Sequence, residues 1–218
     1  MTPLEHFLDP TTVSLKICGV TTWSDANRLA EMSVDALGVN FWPMSKRYLA
    51  AEEATWLLEL AGKILRVGVF VNQAPDLPLR LLRDGYLDAI QLHGDETPDD
   101  AAAYRDAGVP FFKAIGVKTQ ADLERAAEYG AAGVLLDAHA PGIYGGTGEV
   151  FDWEVASEFR RRHPELPILL AGGIVPENAG LAAMSVQPAA LDIASGAEIS
   201  PGIKDFYKVA AFLNALHR

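Results

Sequence analysis

The stretch Ile168-Leu169-Leu170-Ala171-Gly172-Gly173-Ile174-Val175-Pro176-Glu177-Asn178 holds a whole structural unit in eleven residues. Its short apolar run suits a buried strand, and the glycine pair turns the chain. Pro176-Glu177 then marks the first turn of a helix, where proline gives up an N–H the helix does not need and an acid meets the positive end of the dipole. The same rhythm recurs outward along the whole chain. Apolar runs fall at 14–18, 36–41, 65–71, 89–93, 111–115, 133–137, 168–171 and 190–194. Stretches of helical character fall at 24–33, 51–61, 77–84, 98–107, 119–129, 152–162, 176–184 and 205–216. Ser24-Asp25 and Thr97-Pro98-Asp99-Asp100 supply further helix starts. Strands joined only through crossover helices must run parallel. Eight such repeats in 218 residues predict an α/β fold, a single-domain (β/α)8 TIM barrel. A doubly wound open sheet would place a GxGxxG turn after its first strand, whereas here that strand ends in Lys16-Ile17-Cys18-Gly19. Residues 1–12 are expected to form an N-terminal arm across the bottom of the barrel, with 13–218 as the barrel itself.

Composition narrows the classes of function. Half of the residues are hydrophobic and 22% are charged, enough to bury a core without covalent staples. The single cysteine, Cys18, excludes a disulfide within the chain and any multi-cysteine cluster. The opening MTPLEHFLDP is acidic and lacks an apolar leader core, and no apolar run approaches the roughly 18–20 residues that span a bilayer. A cytoplasmic protein is expected, with no membrane partner. A net charge of −11 also argues against nucleic acid. Charge averaged over the surface leaves room for a local anion site.

In a (β/α)8 barrel the chemistry sits at the C-terminal ends of the strands. Read there, the sequence offers Cys18, then Arg47 in the loop after strand two, His93 after strand four and Asp137 ending strand six. Gly172-Gly173 follow strand seven, and Ser195-Gly196 follow strand eight. Glycine turns at those last two loops, backed by a helix N-terminus, cradle a phosphate on backbone N–H groups without a basic side chain. Arg47 presents a planar fork that suits a carboxylate, whereas Lys46 reads as a solvated neighbour. A free cysteine is most often a small buried hydrophobe, only a few per cent thiolate at pH 7, and Asp137 could equally cap its loop. His93 either lines the pocket or is a satisfied turn residue. Lys16 shares a strand face with Cys18, and a buried lysine is costly unless paired. Asp192, on the strand that closes against the first, is its expected partner. His6, His139, His163 and His217 read as surface residues, Glu149 and Asp152 as a charged helix start. Trp23, Trp56 and Trp153 read as packing residues, while Trp42 is placed near the mouth.

The ordered motifs resemble the phosphoribosylanthranilate isomerase family of tryptophan biosynthesis. They are Lys16-Ile17-Cys18-Gly19-Val20-Thr21, Phe41-Trp42-Pro43 with Ser45-Lys46-Arg47-Tyr48, Val67-Gly68-Val69-Phe70-Val71-Asn72 and Gln91-Leu92-His93-Gly94. Leu135-Leu136-Asp137, Gly145-Gly146-Thr147-Gly148 with Phe151-Asp152-Trp153, and Gly172-Gly173 with Pro176-Glu177-Asn178 complete the set, which runs from about residue 14 to about 205. The resemblance implies a barrel of the ribulose-phosphate-binding type. It also implies an Amadori rearrangement of N-(5′-phosphoribosyl)anthranilate to the 1-deoxyribulose isomer. It makes Cys18 the general base and Asp137 the general acid, sets Arg47 on the anthranilate carboxylate and puts the two glycine loops on the phosphate. The substrate is a small phosphosugar that supplies its own electron sink, so neither metal nor organic cofactor is expected. The protein is expected to be a monomer or a homodimer. Ala194, Glu149 and Met44 depart from the family's hydroxyl or basic residues, which makes the rim less positive. A histidine-pathway sugar isomerase is the alternative enzyme, from which Cys18 in place of an aspartate distinguishes the chain; a sugar-phosphate sensor is the non-enzymatic one.

Overall fold

In the computed structural model, residues 2–117, 121–138 and 153–216 are described. Eight strands, β1 (Ser14–Cys18), β2 (Ala36–Asn40), β3 (Leu65–Phe70), β4 (Ala89–Leu92), β5 (Phe111–Val117), β6 (Gly133–Ala138), β7 (Ile168–Leu170) and β8 (Ala190–Ile193), run in sequence order around a closed barrel. All are parallel, and β8 pairs with β1 to shut the ring. The α-helices are α1 (Pro3–Phe7), α2 (Trp23–Glu31), α3 (Asp76–Arg83), α4 (Ala102–Asp106), α5 (Ala121–Glu124), α6 (Trp153–Arg162), α7 (Pro176–Val186) and α8 (Phe206–Ala215). None of the described helices is long and apolar enough to cross a membrane.

Strand parity sorts the core into two bodies. Leu15, Ile17, Leu37, Val39, Ile90, Leu136 and Leu191 belong to the larger one, which they share with the helices. Ala36, Leu65, Val67, Ala89, Phe112, Leu135, Leu169 and Ala190 form the smaller one. The smaller body fills the lower barrel interior. Phe7 from α1 joins it with no exposed surface, its ring edge-on to Phe112 at 6.0 Å between centroids. Arg66, on β3 and 4% exposed, is satisfied by Asp88 through Nε and Nη2 and by the carbonyls of Leu57 and Gly85 through Nη1.

Several local expectations need correction. Residues Ala51–Leu60 wind as a 3-10 helix, whose three-residue repeat puts the buried Ala54, Leu57 and Leu60 in one row. The helix sought at 98–107 shortens to α4: residues 98–101 form turns, although Thr97 and Asp100 make the reciprocal contacts of a helix start. Helix α2 starts at Trp23 behind a Thr22 cap, one residue earlier than Ser24 suggested. Trp23 itself is 45% exposed and donates its indole N–H to Glu59 at 3.0 Å, so it is a surface residue rather than a packing one. An antiparallel hairpin, β9 (Glu198–Ser200) with β10 (Ile203–Lys204), follows β8 and had no signal in the periodicity.

Truncating a fully buried aromatic removes its transfer free energy and leaves a void. Phe7→Ala is therefore expected to destabilise the protein by about 3–5 kcal/mol while leaving any activity at the opposite end of the barrel unchanged. Denaturant unfolding of both proteins, followed by tryptophan fluorescence, checks it.

Candidate active site

Parity also delivers the polar residues. On β1 the interior positions carry Lys16 and then Cys18, and register sets Lys16 beside Asp192 of β8. The Lys16 side chain is wholly buried and donates to Asp192 Oδ1 at 2.8 Å and to Gln91 Oε1 at 2.9 Å. The sequence had suggested the first of these contacts, and the structure makes it. The Cys18 sulfur lies next to this ammonium: both press against the backbone of Gly38 on β2, where a side chain would collide with the sulfur.

Above this layer a cavity of about 720 Å³, counted out to its open mouth, opens at the C-terminal ends of the strands. Cys18, Arg47, His93, Asp137, Gly172, Gly173, Ser195 and Gly196 all line it, together with Asp192, Asn40 and Ala194. Strands β1 and β6 stand three steps apart around the ring, so Cys18 and Asp137 enter the cavity from different walls. His93 Nε2 is 3.7 Å from Asp137 Oδ2, and His93 Nδ1 is 2.7 Å from Gln91 Nε2. Gln91 on β4 and His93 just past its end repeat the alternation that brings Lys16 and Cys18 inward on β1.

The two glycine loops are tied together. Gly172 and Gly173 hold left-handed φ values of 81° and 62°, and the carboxamide of Asn178 in the first turn of α7 braces them by accepting from Val175 N and donating to Gly173 O. A Cβ at Gly196 would strike the carbonyl oxygen of Ile174, so the strand-eight loop rests on the backbone of the strand-seven loop. Gly145-Gly146-Thr147-Gly148, with Glu149, Asp152 and His139, lies outside the described residues, as does His217.

Arg47 carries a partner that sequence reasoning missed. Its Nε and Nη2 chelate Glu198 side-on at 2.8 and 2.7 Å, and Lys204 Nζ adds a third contact to the same carboxylate at 2.8 Å. Both acid and lysine come from the β9–β10 hairpin. Among the described residues, Nη1 of Arg47 makes no hydrogen bond.

Electrostatics follow from this layout. Burial pushes the Cys18 thiol up, the Lys16 charge pulls it partly back, and Asp192 adds to the rise. Lys16 feels burial in the opposite direction, but the charges of Asp192 and Cys18 outweigh it and hold the ammonium charged. Burial would raise the Glu198 carboxyl, yet its hydrogen bond from Arg47 and the charge of Lys204 win, so it stays ionised to unusually low pH.

A closed parallel barrel with a polar cavity at its C-terminal rim defines an enzyme of the (β/α)8 class. The family described as N-(5'phosphoribosyl)anthranilate (PRA) isomerase matches residues 15–215, and the chain belongs to that family, the isomerases of tryptophan biosynthesis. Curated relatives of that name come from Myxococcus xanthus, 44% identical over 208 residues (93% of this chain, 95% of the relative), and Trichlorobacter lovleyi, 41% identical over 202 residues (92% and 96%). The crystal structure of phosphoribosyl anthranilate isomerase from Thermotoga maritima is 36% identical, with a TM-score of 0.85 over 94% of this chain and 99% of that one. A further structure of such an isomerase, in complex with reduced 1-(o-carboxyphenylamino)-1-deoxyribulose 5-phosphate, is 35% identical with a TM-score of 0.81 over 94% of this chain and 99% of that one.

Because the thiolate is the charged form, a thiol raised by burial is less ionised at any given pH than a free one. Alkylation of Cys18 by iodoacetamide should therefore rise with pH through an inflection above the ordinary thiol value of about 8.5. Intact-mass measurement reads this cleanly, since the chain has one cysteine. An inflection at or below that value contradicts the assignment.

Proposed function

We propose that the protein catalyses the Amadori rearrangement of N-(5′-phosphoribosyl)anthranilate to 1-(2-carboxyphenylamino)-1-deoxyribulose 5-phosphate, with Cys18 as general base and Asp137 as general acid. One observation carries the reading: a thiol from β1 and a carboxyl from β6 share one cavity. The relative solved with a reduced form of the product supports the ligand class.

Asp137 gives its proton to the furanose ring oxygen, the bond from that oxygen to C1′ breaks, and the nitrogen lone pair closes an iminium. The iminium acidifies the C2′ proton, which Cys18 removes as thiolate, leaving an enolamine. Cys18 returns a proton to C1′ and the Asp137 carboxylate takes the C2′ hydroxyl proton, which gives the aminoketone and restores both groups, so atoms and charge balance. Each proton transfer needs a group held within hydrogen-bond reach. Taking a carboxyl group out of water, as a bound substrate does, favours its neutral form.

The rest of the site acts as a clamp. Arg47, fixed by Glu198 along one edge, offers the other to the anthranilate carboxylate. Gly172, Gly173, Ser195 and Gly196 offer backbone N–H groups to the phosphate, where their glycines admit a close approach. That placement lets a protein of net charge −11 take an anionic substrate without a basic rim. The acting species is a monomer or a homodimer; one Thermotoga maritima structure is described as generated monomers of a dimeric isomerase.

The direct test mixes the protein with freshly made phosphoribosylanthranilate and follows loss of its anthranilate fluorescence. Wild type should quench it, while Cys18→Ala and Asp137→Asn each lower turnover by about 10²–10⁴-fold with unfolding and binding of the reduced product nearly unchanged. Near-normal turnover by purified Asp137→Asn removes the acid assignment.

A further inference from the structure

A line of polar groups runs along the floor of the cavity, three of them lining it and Lys16 and Gln91 wholly buried: Asp192, Lys16, Gln91, His93, Asp137. Its donors and acceptors can be ordered from one end. The Lys16 ammonium has three donors and no acceptor. Gln91, itself wholly buried, must therefore turn its carbonyl oxygen toward Lys16, and that contact is 2.9 Å. The amide then has only its NH2 to present on the other side, 2.7 Å from His93 Nδ1. Two donors cannot share so short a contact, so Nδ1 accepts. A singly protonated imidazole then carries its hydrogen on Nε2, which faces Asp137 Oδ2 at 3.7 Å. Adding a second proton to the ring would place N–H against N–H and break the line.

We propose that Gln91 is a positioning residue that holds His93 as the neutral Nε2–H tautomer facing Asp137. The proposal rests on the reading of Asp137 as the acid. A neutral imidazole steers that carboxyl through a weak dipole. An imidazolium in the same place would set a full positive charge beside it, favour the carboxylate and leave it without a proton to give. Lys16 thus serves two ends of the site: its charge faces Cys18 on one side, and its orientation of Gln91 reaches Asp137 on the other. The proton count on His93 is set two residues away along the line, by a group with no lone pair to offer.

The test uses the full-length protein labelled with 15N in histidine, at pH 7.5, with the His93 signals assigned by their loss in His93→Gln. Nitrogen shifts and their couplings to ring protons should show Nδ1 unprotonated and Nε2 bearing hydrogen. Hydrogen on Nδ1, or on both nitrogens, in the wild-type protein overturns the proposal and needs no variant that folds. In Gln91→Glu the new carboxylate accepts instead of donating, so His93 should gain hydrogen on Nδ1. Its kcat should fall about tenfold or more with KM held within about threefold. Gln91→Met, which removes both contacts without adding charge, should lose the fixed tautomer and give a smaller fall in kcat. If both variants show the altered His93 signals and keep wild-type kcat, the positioning role is wrong. Should the wild-type protein fail to quench phosphoribosylanthranilate fluorescence, the functional reading fails instead, while the tautomer is still decided by the spectrum.

Discussion

A buried ammonium organises this molecule. Lys16 sits in the barrel interior where an unpaired charge would be untenable, and the surrounding residues are arranged to keep it charged. Asp192 neutralises it, Gln91 takes a second hydrogen bond, and the Cys18 sulfur lies close enough to feel its field. The pair is not explained by stability, since well-packed apolar side chains of similar volume often do as well or better in such positions. It is explained by what stands above it. A thiol in an apolar barrel would be a poor source of thiolate, and the adjacent positive charge partly offsets that burial.

The barrel makes this arrangement possible at small structural cost. Closing eight parallel strands forces every second side chain inward, so β1, β4, β6 and β8 each deliver polar side chains to the same end of the barrel. Below that height the interior is apolar and stoppered by Phe7. Above it the loops take over, and they are mutually braced: Asn178 ties the strand-seven loop to its helix, and Gly196 lets the strand-eight loop lie against it. The hairpin after β8 then fixes Arg47 through Glu198, so one segment of chain, 195–204, both forms the second glycine loop and holds the arginine.

The sequence was most informative where burial is two-sided. Strands covered by helices outside and by the core inside read as near-continuous apolar runs, and each of the eight runs contains or nearly coincides with its strand. The same two-residue period exposed the Lys16–Asp192 contact, because alternation fixes which side chains look inward. Gln91 was within reach of that rule, since it sits two residues before His93, yet a neutral amide gives no charge to account for. The Arg47–Glu198 chelate was out of reach: its partners lie 151 positions apart, and the hairpin that carries Glu198 is too short to show periodicity. Trp23 was misread because an indole that reaches a surface carboxylate looks, in sequence, like any other aromatic at the start of a helix.

The decisive comparison separates the fold's need for Lys16 from the reaction's need. Lys16→Met alone strands the Asp192 charge and should cost about 3–5 kcal/mol, so its turnover says little. In Lys16→Met with Asp192→Leu the buried pair is replaced as a unit, and stability should return to within about 2 kcal/mol of wild type. Turnover of phosphoribosylanthranilate by that double variant, measured where it is fully folded and still binds the reduced product, is predicted to stay at least about 100-fold below wild type. Turnover that recovers along with stability would show that the ammonium only holds the barrel together, and would contradict the account.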